Sequence, residues 1–223
     1  MPAKPELSIC IPCWNRSRMA SSVGIIEPFP HTVDCLVRAV AEVGCEAELV
    51  VADYGSTDWP PAEWLPERAG SLPYRVLNRQ ERFSVGGGKN AAAEAASANV
   101  LFFAECDLDL PASLIRRGLE VVAEGKAYFP RYLRERRPGG PLYWGNGHGC
   151  CVVMRGHWEE NRWLVGYGWG GADEDTQFAH WFTRRGLLVR EDEPGLIHRW
   201  HPLLESKVAT DALPGNVVME LAW

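Results

Sequence analysis

The sequence predicts an α/β domain on a mainly parallel sheet with helices on both faces, and three observations carry that expectation. Short uninterrupted apolar runs alternate with longer amphipathic stretches through the first half of the chain. The runs are strand-length and continuous, as strands covered on both faces are. Three of them end in polar clusters, where parallel α/β sheets collect ligands.

Leu7–Cys13 (LSICIPC) is the first strand, stopped by Trp14-Asn15-Arg16. His31–Val43 sets Val33, Leu36, Val37, Val40 and Val43 at helical spacing ahead of Gly44. Glu48–Ala52 (ELVVA) is the second strand, followed by the polar turn Asp53–Asp58, and Tyr74–Leu77 is a weaker one. Gly86-Gly87-Gly88 reads as a flexible lead into an Ala-rich helix over Lys89–Ala98. Val100–Ala104 (VLFFA) is the third buried strand, ending in Glu105-Cys106-Asp107-Leu108-Asp109, and Ser113–Ala123 is an amphipathic helix. Beyond it, Arg131–Pro141 is charged and punctuated by Gly and Pro, the pattern of a mobile loop. Trp144–Arg155 ends in a strand, CCVVM; Trp158–Gly171 is dense in Trp and Gly; Thr176–Arg185 is helical. No repeat, low-complexity tract or linker divides the chain, so one domain is expected over 1–223.

A chain of 223 residues buries roughly 70% of its unfolded surface and needs no disulfide or metal to fold. With 23 basic and 29 acidic residues the net charge is −6, which argues against a nucleic-acid partner. The start, MPAKPELSICIP, lacks the basic and long apolar regions of a signal peptide, and no run approaches eighteen apolar residues, so no transmembrane segment is expected. Cys10 and Cys13 have C-x-x-C spacing, but no second pair answers it, and a period-two strand sends them to opposite faces. The seven cysteines therefore read as mostly buried thiols of a cytoplasmic protein.

Asp107 and Asp109 form a D-x-D at a strand end, where a turn brings one carboxylate onto a divalent cation and the other onto it or a sugar hydroxyl. Asp53 either accepts a ring N–H or caps its own turn with Ser56 and Thr57. Arg82, Lys89 and the three glycines before a helix suit a phosphate. Asp173-Glu174-Asp175, after Gly168-Trp169-Gly170-Gly171 and before a helix, exceeds what capping needs; one carboxylate suits a general base, and Trp169 offers a face to a sugar ring. His198 and His201, three apart near the chain's end, can add an imidazole to the Asp109 cation. Arg131, Arg134, Arg136 and Arg137 form a solvated loop, close over a diphosphate, or touch an anionic membrane surface.

In order and spacing, LSICIPCWNR, VVADYGSTD, RFSVGGGKNAAAEAA, VLFFAECDLDLP, GWGGADEDTQFAHWF and IHRWHP resemble a family 2-like glycosyltransferase of the GT-A fold, a Rossmann-like α/β domain. The acidic Gly-Trp-Gly-Gly element is of galactosyltransferase type, and the likeness spans about residues 7 to 202. It implies a nucleotide-binding half, about 1–110, and an acceptor-binding half with a C-terminal metal-ligand segment, about 111–223. It implies sugar transfer from a nucleotide-diphosphate donor, UDP-sugar favoured and GDP-sugar open, with inversion and with Mn²⁺ or Mg²⁺. The acceptor is a hydroxyl of a glycan, lipid-linked intermediate, peptide or small metabolite.

Carried over by position, Pro12 and Trp14 line the base and Asp53 reads it, with Arg82 and Lys89 near the nucleotide. Asp107 meets ribose or metal and Asp109 the metal, with His198 or His201 completing the shell. Trp169, Gly170 and Gly171 meet the acceptor. Two departures stand out: Ala172 interrupts the acidic pair, leaving Asp175 as base by helix register, paired with Glu174, and Asp173 in reserve; and Tyr54 replaces a second aspartate after Asp53. A sugar-nucleotide nucleotidyltransferase and a non-catalytic sugar or nucleotide binder are the rival readings. The first lacks its glycine-rich N-terminal loop here.

Overall fold

The computed structural model describes residues 4–166 and 173–202. In order come β1 (Leu7–Cys13), a small hairpin of β2 (Met19–Ser21) and β3 (Gly24–Ile26), α1 (Pro28–Val43), β4 (Ala47–Asp53), α2 (Pro61–Arg68), β5 (Tyr74–Asn78), α3 (Val85–Ala95), β6 (Val100–Phe103), β7 (Leu108–Asp109) and α4 (Ala112–Ala123). There follow β8 (Ala127–Tyr128), β9 (Arg131–Glu135), β10 (Leu142–Trp144), β11 (Cys151–Met154), α5 (Arg155–Glu160), α6 (Glu174–Arg184), β12 (Leu188–Val189) and β13 (Asp192–His198).

β1 is buried along its whole length because it pairs in parallel with β4 on one side and β6 on the other. The full sheet runs β12-β8-β11-β6-β1-β4-β5, with β11 antiparallel to both neighbours. The period of two sends Leu7, Ile9, Ile11 and Cys13 to the face covered by Phe29, Val33 and Leu36 of α1 and Leu114 and Ile115 of α4. Cys10 points to the other face, beneath the alanines of α3 and Phe178 and Phe182 of α6. Cys10 and Cys13 thus enter different cores, and all seven cysteines are free.

Two expectations need correction. Gly86-Gly87-Gly88 is the first turn of α3 rather than a flexible lead. Ser84 caps that turn, its Oγ accepting the Gly87 N–H at 3.0 Å. A Cβ on Gly88 would meet Pro12 Cβ at 2.6 Å, so glycine is what lets the helix rest on β1. Arg131–Pro141 is not a mobile loop throughout: Arg131–Glu135 is β9, paired with β10 and β13. Its charge is absorbed locally, with Arg131 pairing to Asp192 and the Arg136 guanidinium 4.7 Å from the Tyr143 ring.

A second sheet has the order β10-β9-β13-β7. Its β13 pairs antiparallel with β7, setting His198 opposite Leu108 and Ile197 opposite Asp109. No helix among the described residues is long and apolar enough to cross a membrane.

Candidate functional site

The chain passes from β1 to β4 and β5 on one side and returns to β6 on the other, so the switch point of the sheet lies at the ends of β1 and β6. The backbone turns at Cys106-Asp107, just beyond β6. There β13 and the residues after it deliver two imidazoles to Asp107. His201 Nε2 lies 3.1 Å from Asp107 Oδ2, His198 Nε2 3.7 Å from Oδ1, and Arg16 Nε 4.0 Å from Oδ2. The Asp107 side chain is 5% exposed, and its Oδ1 makes no hydrogen bond. Burial alone would raise this carboxyl, but His198, His201 and Arg16 outweigh it and hold it well below the usual carboxylate range. Burial lowers His198, with Asp107 opposing.

One ligand atom each from Asp107, His198 and His201 falls within 4.8 Å of the other two. A buried carboxylate oxygen with no donor, beside two imidazoles, fits a divalent cation such as Mn²⁺, which accepts both oxygen and nitrogen.

Asp109 does not join this set. Its carboxylate takes His31 Nε2 at 2.7 Å and a bidentate Arg199, with Nε 3.0 Å from Oδ1 and Nη2 2.5 Å from Oδ2. The four residues expected around one ion are therefore divided, because the turn and the β7–β13 pairing aim Asp107 at β13 and Asp109 at α1.

Glu105, which sequence reasoning passed over, sits two residues before Asp107. Gly149 lies so close that a Cβ there would overlap Glu105 Oε1. Burial pushes Glu105 up to about 7 against the pull of Lys89, and Asp107 and Asp175 add to the rise. Glu105, Asp107 and Asp175 thus belong to one electrostatic neighbourhood. The available signal was spacing: Glu105-Cys106-Asp107 repeats the acid-x-acid pattern directly after the apolar run.

Lys89 was expected near a nucleotide. It is fully buried instead, its Nζ donating to the Gly149 carbonyl at 2.7 Å and lying 4.0 Å from the Trp163 ring centroid. It backs Glu105 rather than lining a surface. Asp175 Oδ2 accepts the His148 N–H at 3.2 Å, and Oδ1 accepts the Thr176 N–H at 2.9 Å, at the favourable end of α6. Glu174 is buried, whereas Asp173 is exposed in the left-handed region at φ 53°. Trp169, Gly170 and Gly171 lie outside the described residues.

On the other flank of β1, Trp14 stacks on Phe83 with centroids 5.6 Å apart, and Tyr54 meets the same ring edge-on. Asp53, across from Cys13, is buried, and its Oδ1 accepts the Ser56 N–H at 3.2 Å and O–H at 2.6 Å. The capping interaction is thus present. Arg82 is exposed on a cleft of about 520 Å³ with Tyr54, Arg79 and Arg162.

No protein-family model matches the sequence, and no curated protein is significantly similar to it. Solved structures share the fold. TarS of S. aureus, residues 1–349 with UDP-GlcNAc, superposes with a TM-score of 0.67 at 12% identity, covering 91% of this chain and 60% of that one. Glucosyl-3-phosphoglycerate synthase of Mycobacterium tuberculosis, with phosphoglyceric acid, gives 0.61 at 16%, covering 91% and 75%. The mannosyltransferase PcManGT of Pyrobaculum calidifontis, with GDP-Man and Mn²⁺, gives 0.59 at 15%, covering 89% and 57%. At such identities the likeness establishes the fold, and the chain has the mixed α/β GT-A architecture. It spans 60% of the length of that TarS structure.

Proposed function

We propose that the chain is a metal-dependent, inverting glycosyltransferase moving a sugar from a nucleotide-diphosphate donor, UDP-sugar favoured, to a hydroxyl acceptor. The observation that carries this reading is the Asp107, His198 and His201 set, with its buried donorless oxygen, at the switch point of the sheet beside Glu105 and Asp175. Solved proteins of the same fold bound to UDP-GlcNAc, UDP-glucose or GDP-mannose, two of them with Mn²⁺, support it.

In this reading Asp107, His198 and His201 would hold the cation, which would supply positive charge for a departing diphosphate. Glu105 takes the place in the acidic pair that the sequence gives to Asp109, and it accepts a donor hydroxyl. Trp14 and Asp53 receive the base, Pro12 lies covered beneath α3 rather than against that base, and Arg82 stands at the nucleotide's edge. Asp175 accepts the proton of the acceptor hydroxyl; its carboxylate is oriented by the His148 and Thr176 N–H groups. Attack assisted by a single base on the face opposite the diphosphate inverts the anomeric carbon. Localisation in the cytoplasm belongs to the same proposal.

A thermal-shift screen of UDP- and GDP-sugars with Mn²⁺ tests the donor; a sugar nucleotide at 100 times its Kd adds about 2.7 kcal/mol. Release of nucleoside diphosphate is the expected product, and pyrophosphate would indicate nucleotidyl transfer instead. Asp175→Asn should cut transfer by roughly 10²–10⁴-fold with donor binding retained. Asp173→Asn should change little; the reverse result would move the base to Asp173.

A further inference from the structure

The surroundings of Asp109 contain a second set of ligand atoms that the proposed transfer does not use. His31 and Cys35 are one turn apart on α1, so their side chains share a face, and β7 presents Asp109 to that face. Cys35 Sγ is 3.7 Å from His31 Nε2, which is 2.7 Å from Asp109 Oδ1, and all three ligand atoms lie within 4.8 Å of one another. Around a tetrahedral ion with bonds of ~2.0–2.3 Å, ligand atoms stand about 3.3–3.8 Å apart. The thiol–imidazole separation already has that value, and the imidazole–carboxylate contact needs to open by only about 0.6 Å.

We propose that His31, Cys35 and Asp109 form a second metal site, selective for a borderline-soft transition ion such as Zn²⁺ and distinct from the Asp107 centre. One thiolate, one imidazole and one carboxylate are a donor set that Mg²⁺ does not choose and Zn²⁺ does. Each anionic ligand also has an outer partner. Arg38 Nη2 lies 3.2 Å from Cys35 Sγ, and Arg199 holds both oxygens of Asp109. A carboxylate oxygen can keep the Arg199 bond on one lone pair and take the ion on the other, where His31 now sits.

Access is present too. The His31 side chain is about half exposed and lines a cleft of about 670 Å³ with Glu27, Asp34 and Arg199, leaving room for water as fourth ligand. The exchange balances: the proton between His31 and Asp109 and the Cys35 thiol proton leave as the dication enters. Occupancy ties α1 to the strand that follows Asp107. Metal binding at this second site is independent of sugar transfer.

The test is Co²⁺ titration of the full chain after chelation, read by absorption. The expected result is a near-ultraviolet thiolate-to-cobalt charge-transfer band with tetrahedral visible bands, both removed by added Zn²⁺. Cys35→Ser should abolish the charge-transfer band, His31→Ala should weaken Co²⁺ binding by at least about 10-fold, and Asp107→Asn should leave the band intact. Absence of the band, its persistence in Cys35→Ser, or its loss in Asp107→Asn would each overturn the proposal. If Cys35→Ser fails to fold, the half-exposed His31→Ala variant and the wild-type spectrum still decide it.

Discussion

Asp107 and Asp109 stand two residues apart on one segment, yet their surroundings differ in kind. Asp107 is buried, faces two imidazoles and an arginine, and keeps one oxygen without a hydrogen bond. Asp109 is partly exposed, and both its oxygens are engaged by Arg199, with His31 on one of them. The first arrangement leaves acceptor capacity in a low-dielectric crevice, which suits the proposed cation. In the second, without metal, both oxygens are already engaged in an ion-pair network, so an ion enters only by displacing the His31 contact. Adjacency in sequence thus says little about shared chemistry; the partners delivered by β13 and α1 decide.

The contrast can be sharpened by substitution. The largest effect belongs to the buried side. Lys89→Met removes the cation beside Glu105 and the donor to the Gly149 carbonyl, and should cost about 1.5–3 kcal/mol in chemical denaturation. Adding Glu105→Gln should recover part of that loss, and additive losses would break the coupling. Next, Asp107→Asn should lower sugar transfer by roughly 10²–10³-fold. Asp109→Asn should lower it by less than about 10-fold, because its loss disturbs α1 and Arg199 rather than the centre. Equal losses in the two variants would mean that the two carboxylates act alike.

The smallest effect is a pH dependence on the Asp109 side. The hydrogen bond to Asp109, then that to Cys35, raises His31 from 6.5 to about 10. Its contribution to the metal-free protein is therefore complete below about pH 6.5 and is lost as pH rises through 10. His31→Asn should flatten that part of the stability profile, as read by urea melts across the range.

Much of the fold was legible because its signals are local. Leu7–Cys13 is a continuous apolar run with the bounds of β1, and ELVVA and VLFFA mark β4 and β6. What escaped was non-local. β13 contains Pro194 and Gly195 and is a strand only because β9 and β7 flank it. The glycines of α3 look flexible until Pro12 is seen beneath them. At the site, the acids and histidines were recognisable by type and by position after apolar runs. Their grouping was not, since it depends on a turn at Cys106-Asp107 and on the register of β13. Glu105 was hidden by the more conspicuous D-x-D one step further on.

Mn²⁺ binding to wild type, Asp107→Asn and Asp109→Asn, followed by electron paramagnetic resonance of free ion, separates the two carboxylates best. Binding that disappears in Asp107→Asn and persists in Asp109→Asn is the predicted result. Binding that survives the loss of Asp107 and fails with the loss of Asp109 would contradict it.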